Sequence, residues 1–318
     1  MALTARVALK GDDSLGPEDY FSASLGVIFP DDVTCQHGDA EHSLIYTSPH
    51  LPKPLHIELA DPTDETDRRL FSHHLWNASL LLAELVERDS LGVGVVADAD
   101  AHVDGVDAGA TLAQKGPTFD IKGKSVLELG AGTALPSIMA GLLGASRVVV
   151  TDYPAPAILH TLEQNITRNI QADLSPSSSH TTSPSCIAVH GHSWGDVSSS
   201  FCQTNRHSFD RVFAADCLWM PWQHENLHRS IDHFLRRDDP KARCWVVASF
   251  HTGRHNMKGF FQEEALAKYN LVVDSIWERD CDGKERAWSW DLEEDVSMRK
   301  RWQVICLLKR TTGVEAGM

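Results

Sequence analysis

The chain has 318 residues, of which 42% are hydrophobic, so it can fill one large core or two small ones and is not disordered as a whole. Lys and Arg number 29 against 44 Asp and Glu, a formal charge of −15. That balance argues against a nucleic-acid binder that works by neutralising phosphates, and it suits a basic protein partner or a cationic cofactor.

In chain order, residues 1–69 read as an amino-terminal extension. Ser43–Thr47 and Leu55–Leu59 form two short strands around Pro49, Pro52 and Pro54, and Leu25–Phe29 is a brief apolar patch. The rest, 70–318, reads as one α/β domain. Leu70 to Arg88 is a helix, since Leu75, Ala78, Leu82 and Leu85 recur at three- and four-residue steps. Gly92 to Thr118 reads as an inserted loop, and Asp173 to Ser185 as a second one.

Strands are expected at Ser125–Leu129, Arg147–Thr151, Cys186–His190, Arg211–Ala215, Cys244–Ser249, Leu271–Trp277 and Trp302–Leu308. Helices are expected between them at Leu135–Leu143, Pro156–Asn169, Glu225–Leu235 and Gly259–Lys268. This alternation predicts a doubly wound, Rossmann-like seven-stranded sheet. The last two strands have no crossover helix between them, so they should close it as an antiparallel hairpin. A ligand then belongs outside the carboxyl ends of the strands, at the point where their order reverses.

Leu127-Glu-Leu-Gly-Ala-Gly-Thr-Ala-Leu135 joins the first of these strands to its helix. Gly130 and Gly132 permit a tight turn and a close approach by a ligand. Asp152 ends the next strand, where a carboxylate can accept both hydroxyls of an adenosine ribose. The third glycine of the dinucleotide fingerprint is replaced by Leu135, which counts against NAD or FAD, and no phosphate-loop motif is present. Glu128, just before the first glycine, suits a ligand bearing an ammonium and a sulfonium; it could also pair with Lys122 or Lys124. The cofactor that meets these demands is S-adenosyl-L-methionine. No metal is expected: the seven Cys include no CxxC pair, and the 17 His are scattered without an HExxH.

Val126–Gly132 followed by Val148–Tyr153 resembles the seven-β-strand S-adenosylmethionine-dependent methyltransferases. Four further blocks resemble methyltransferase family 16, the non-histone protein lysine methyltransferases: His74–Ala83, Leu135-Pro136, His192-Ser-Trp-Gly195 and Ala215-Asp-Cys-Leu-Trp219. Within it the chain is most similar to the fungal elongation factor 1A N-terminal and lysine methyltransferases, a group also labelled nicotinamide N-methyltransferase-like. Ser24–Pro30 and Tyr46–Pro49 fit the same group, whereas Met220–His224 departs from it, which bears on the substrate rather than the cofactor.

The resemblance implies that Trp76 lies over the methionine end of the cofactor. It implies further that Gly130, Ala131 and Gly132 line its backbone, Asp152 holds the ribose, Trp194 the adenine, and Ala215 the pocket floor. Asp216 and Trp219 would orient the incoming amine and carry the catalysis. Taken alone, Trp76 reads as core, and Asp216 as a cap for the following helix. His190, His192 and His251 fall near predicted strand ends and could be bases or substrate contacts. The function implied is N-methylation of a protein amine, a lysine or an N-terminus of a translation elongation factor, in the cytoplasm. The alternative is methylation of nicotinamide or a related pyridine. Neither a nucleic-acid nor a membrane partner is expected, since no run approaches the roughly 18 apolar residues of a span.

Overall fold

The computed structural model describes residues 2–10, 35–38, 43–61, 74–93, 119–177, 181–293 and 295–311. The apolar patch Leu25–Phe29, the first residues of the helix expected from Leu70, and 94–118 of the expected loop lie outside the described residues.

The strands in chain order are β1 (Val7–Leu9), β2 (Gln36–His37), β3 (Leu44–Tyr46), β4 (Leu55–Ile57), β5 (Leu75–Trp76), β6 (Ser125–Leu129), β7 (Arg147–Asp152), β8 (Ile187–Gly191), β9 (Arg211–Ala215), β10 (Arg243–Ser249), β11 (Leu271–Asp280), β12 (Glu285–Ala287) and β13 (Trp302–Arg310). The helices are α1 (Asn77–Leu91), α2 (Leu135–Leu142), α3 (Pro156–Asn169), α4 (Ser200–Thr204), α5 (His224–Phe234), α6 (Arg254–Met257), α7 (Glu263–Ala267) and α8 (Val296–Arg299). The central sheet has the order β12-β11-β13-β10-β9-β6-β7-β8. β8, β7, β6, β9 and β10 run parallel, while β13 runs antiparallel to both β10 and β11. The doubly wound sheet and its antiparallel end are as the alternation of elements implied. One detail differs: the three-residue β12 adds an eighth strand. β13 lies between β10 and β11.

The parallel strands are near-continuous apolar runs because both faces are covered. Alternation within them sorts the core into two layers. Val126, Val148, Val150, Phe213 and Trp245 face α1, α2 and α3, whereas Leu127, Val149, Val212, Ala214 and Val246 face α5 and α7. From β6 the chain proceeds outward to β7 and β8; from β9 it proceeds the other way to β10. The switch point therefore lies between β6 and β9, above their carboxyl ends.

α1 begins at Asn77, so Trp76 sits on β5, which pairs with β2, and not on the helix that the apolar spacing implied. The expected helix over 259–268 is also broken. Lys258–Phe261 is a 3₁₀ turn, and extended Gln262 separates it from α7. The break lets adjacent Phe260 and Phe261 both bury, which neighbouring positions on one helical stripe do not do.

β1, β3 and β4 make a separate antiparallel sheet. Its outer strand β4 is finished by side chains instead of another strand. Asn169 of α3 exchanges hydrogen bonds of 3.0 and 2.7 Å with the backbone of His56, and Asn165 does the same with Glu58 at 2.8 and 2.9 Å. Two carboxamides thus satisfy backbone groups that an edge strand leaves open. Buried Arg6 joins this end to α1 through Glu84 at 3.0 Å and Glu87 at 3.7 Å.

Candidate cofactor and active site

A cavity of about 280 Å³ opens above the carboxyl ends of β6, β7 and β9. Its wall brings together Trp76, Gly130, Ala131, Gly132, Asp152, Trp194, Ala215, Asp216 and Trp219, nine of the ten residues singled out from sequence. They come from five separate parts of the chain, four of them brought together by the central sheet and Trp76 added by the β2–β5 pair.

The turn after β6 is shaped by two left-handed glycines. Gly130 has φ +64°, and a Cβ there would stand 2.8 Å from the Trp194 ring and 3.0 Å from Cys217 Sγ. Gly132 has φ +56°, and its N–H donates to Asp152 Oδ2 at 2.7 Å. The Tyr153 N–H donates to the other oxygen, Oδ1, at 2.6 Å. Each carboxylate oxygen keeps a second lone pair. Burial raises the Asp152 pKa against the pull of these two bonds. The carboxylate therefore ties the ends of β6 and β7 together and still presents acceptors to the cavity.

Glu128 occupies a different place from the one expected. Its side chain is fully buried beneath the turn and is no part of the cavity wall. Oε2 accepts from the Ser137 N–H at 3.1 Å and from the Ser137 hydroxyl at 2.5 Å, while Oε1 has no hydrogen-bond partner among the described residues. It thus holds the first turn of α2. Burial pushes its pKa up to about 8, so at neutral pH it is mostly the neutral acid and not an anion facing a sulfonium. The partnering with Lys122 or Lys124 is likewise replaced by this local bond. A folded value raised above the unfolded one, about 4.3, means stability that is present below the unfolded value. That stability is lost as pH rises through about 8. Glu128→Gln removes this loss. The melting temperature of the variant relative to wild type should be higher at about pH 9 than at about pH 5, by at least about 3 °C, the size of 1 kcal/mol in a chain this long. A flat difference between the two would refute the assignment.

Asp216 follows β9 in the left-handed region, at φ +57°. Its N–H donates to the Val247 carbonyl at 2.8 Å, and its Oδ1 accepts from the Ser249 N–H at 3.0 Å. Oδ2 is buried and has no hydrogen-bond partner among the described residues. Burial raises the pKa of this carboxyl, with the neighbouring His251 opposing. The cap expected from the sequence is thus made to the β10 strand end rather than to a following helix. Trp219 and Met220 continue the wall beyond it.

His192 also meets the cavity, but its nitrogens serve the scaffold. Nε2 pairs with Ser230 Oγ at 2.9 Å, Nδ1 lies 3.6 Å from Cys202 Sγ, and burial lowers its pKa to about 4. Ser230 Oγ in turn accepts the Gly195 N–H at 2.9 Å, which fixes the turn carrying Trp194. His190 stacks on Phe201 at 4.4 Å instead of reaching the cavity. Trp194→Ala should weaken binding of S-adenosylhomocysteine about tenfold, a stacking loss of about 1.4 kcal/mol. Calorimetry with this product checks it, and unchanged affinity would remove Trp194 from the adenine site.

Sequence reasoning missed Ser79, Tyr153, Gln223 and Asn226, which also line the cavity. No periodicity marks them. Ser79, Tyr153 and Gln223 fall inside the blocks His74–Ala83, Val148–Tyr153 and Met220–His224, but nothing in those blocks sets them apart from their neighbours.

Comparison with known proteins agrees with this geometry. A family profile described as lysine methyltransferase matches residues 63–268. Relatives include the protein N-terminal and lysine N-methyltransferase EFM7 of Gibberella zeae, 27% identical over 73% of this chain and 75% of that protein. The enzyme of the same name from Kluyveromyces lactis is 26% identical over 82% of each. A solved methyltransferase in complex with S-adenosylhomocysteine shares the fold, at 10% identity and a TM-score of 0.50, over 92% of this chain and 65% of that one. The profile spans the glycine turn, Asp152, Trp194 and Asp216, and on that ground the chain belongs to the lysine methyltransferase family and is an S-adenosylmethionine-dependent protein methyltransferase.

Proposed function

We propose that the protein methylates amines of a translation elongation factor, a lysine or the N-terminal α-amine, in the cytoplasm. The observation that carries this reading is Asp216, a residue of the cavity wall near Trp219 whose buried Oδ2 has no hydrogen-bond partner among the described residues. Relatives that are N-terminal and lysine N-methyltransferases support both kinds of amine, and the charge of −15 suits a basic target. A pyridine substrate has no support among them. Among the described residues no helix is long and apolar enough to cross a membrane. In this reading residues 1–69 form the extension and 70–318 the catalytic domain.

The residues present fit S-adenosylmethionine. Asp152 retains lone pairs for the ribose, the backbone at Gly132 is open, with nothing within 4 Å of a Cβ there, and Trp194 and Trp76 supply flat apolar faces. Bound there, the cofactor supplies a methyl group on an already activated sulfonium. Gly130, Ala131 and Ala215 shape the wall along it. Asp216 Oδ2 accepts a hydrogen bond from the amine, aligns its lone pair and balances the charge that nitrogen gains. A lysine, with an ordinary pKa of about 10.4, must first shed a proton, whereas an α-amine near 7.7–8.0 gives one up more readily (about 2.5 units apart). The Trp219 ring favours the methylated cation.

The test is incubation of the full chain with radiolabelled cofactor and either purified elongation factor 1A or nicotinamide, followed by peptide mass spectrometry. Label on the amino-terminal or a lysine-bearing peptide is expected. Label on nicotinamide alone, or on no protein, overturns the reading.

A further inference from the structure

The turn that follows β10 carries a histidine whose ring lies behind the cavity wall. His251 stacks on the Trp76 indole, with ring centres 4.8 Å apart and planes 25° from parallel. On its other flank Nδ1 lies 3.8 Å from Asp216 Oδ1. That separation is too long for a hydrogen bond and short enough for the two groups to feel each other's charge. Nδ1 is buried and, among the described residues, meets no hydrogen-bond partner, and Asp216 Oδ2 is in the same condition. Leaving a buried polar group unmet costs stability. Asp216 adds a left-handed backbone on top. Unmet polarity and strain gathered at one residue are characteristic of places held for function.

The turn is held firmly enough to sustain this. The Arg254 guanidinium lies over the rings of Phe250 at 4.3 Å and Trp288 at 4.7 Å. It makes two hydrogen bonds to Glu278, at 2.6 and 3.0 Å, and Arg286 donates to the same buried carboxylate at 2.8 Å. The Ser249 N–H, two residues before His251, holds Asp216 Oδ1. His74 stands edge-on to Trp76 at 6.0 Å. The imidazole is thus fixed between a ring of the donor pocket and the carboxylate that faces the amine.

We propose that His251 is a positioning residue for methyl transfer: it spaces the Trp76 indole from the Asp216 carboxylate and keeps Oδ1 on the protein side, so that Oδ2 faces the incoming amine. This rests on the protein-amine reading above. Without the imidazole only the Ser249 N–H restrains the carboxylate about its Cβ–Cγ bond, and Oδ2 is held toward the cavity less tightly. A misplacement of this kind lowers turnover while the donor stays bound.

Two substitutions separate the role from simple packing. H251F keeps a ring against Trp76 and removes both nitrogens. It should lower kcat for the protein substrate at least about tenfold, with affinity for S-adenosylhomocysteine within about threefold. H251Q removes the ring but keeps a polar amide beside Oδ1, and it should recover part of that loss. H251F at the wild-type kcat, with H251Q the slower enzyme, overturns the proposal, since His251 would then be packing for Trp76 alone. A second readout needs no turnover: the side-chain nitrogen NMR signals of His251 should move in D216N, and unmoved signals also overturn it. A wild-type protein that labels no protein amine defeats the substrate reading instead, and the NMR comparison then decides the contact by itself.

Discussion

Asp216→Asn is expected to lower kcat about 10²-fold while affinity for S-adenosylhomocysteine changes by less than about threefold. The two side chains have the same shape, and Asn is among the few residues that accept a left-handed backbone, so the φ of +57° is no obstacle to folding. The Ser249 N–H still demands an acceptor, which places the carboxamide oxygen at the Oδ1 position. The NH₂ group then takes the place of Oδ2 and confronts the substrate nitrogen with a donor. The amine loses both its acceptor and the negative charge that offsets the charge developing on nitrogen. Rapid-quench methylation assays together with calorimetry separate the two quantities. Equal loss of turnover and of cofactor affinity would show that Asp216 holds the pocket together and does not orient the amine.

Asp152→Asn strikes the other end of the cavity. Here the dissociation constant for S-adenosylhomocysteine should rise about 10²-fold, with kcat at saturating cofactor much less affected. Hydrogen bonds to a charged group are worth about 1.5–3 kcal/mol each, and the ribose hydroxyls can make two. A carboxamide also cannot accept from the Gly132 and Tyr153 N–H groups at once, because one of its two ends is a donor. Either a ribose bond or the link between the β6 and β7 ends is therefore lost. Titration calorimetry measures the affinity. A dissociation constant within about threefold of wild type would remove Asp152 from the ribose site.

Local chemistry wrote most of this site into the chain. A β-branched run such as Arg147–Asp152 has few places to go other than a covered sheet, and a glycine turn before an apolar helix announces a close backbone approach. The same chemistry hid the rest. Glu128 looks identical in sequence whether it points up at a ligand or down at Ser137, because alternation along a strand assigns faces and not partners. Trp76 fits an apolar helical spacing, yet pairing with β2 places it on a strand, and β2 lies some forty residues earlier. His251 becomes meaningful only once β9 and β10 lie side by side, which brings Asp216 to within reach. Spacing within one segment carries no information about such neighbours.

The position of β13 affects how the molecule is made. Its residues pair with β10 on one side and β11 on the other: Leu308 stands opposite both Cys244 and Val273. During synthesis both of those strands leave the ribosome before their shared neighbour does. Until Trp302–Arg310 follows, each lacks its native partner along one edge, and every residue of β10 after Arg243 is one that the native fold buries. Such half-built edges invite pairing with other chains. A cell producing this enzyme therefore has reason to shield the growing polypeptide until β13 arrives, and translation pauses just ahead of β13 should be more damaging to yield than pauses earlier in the chain.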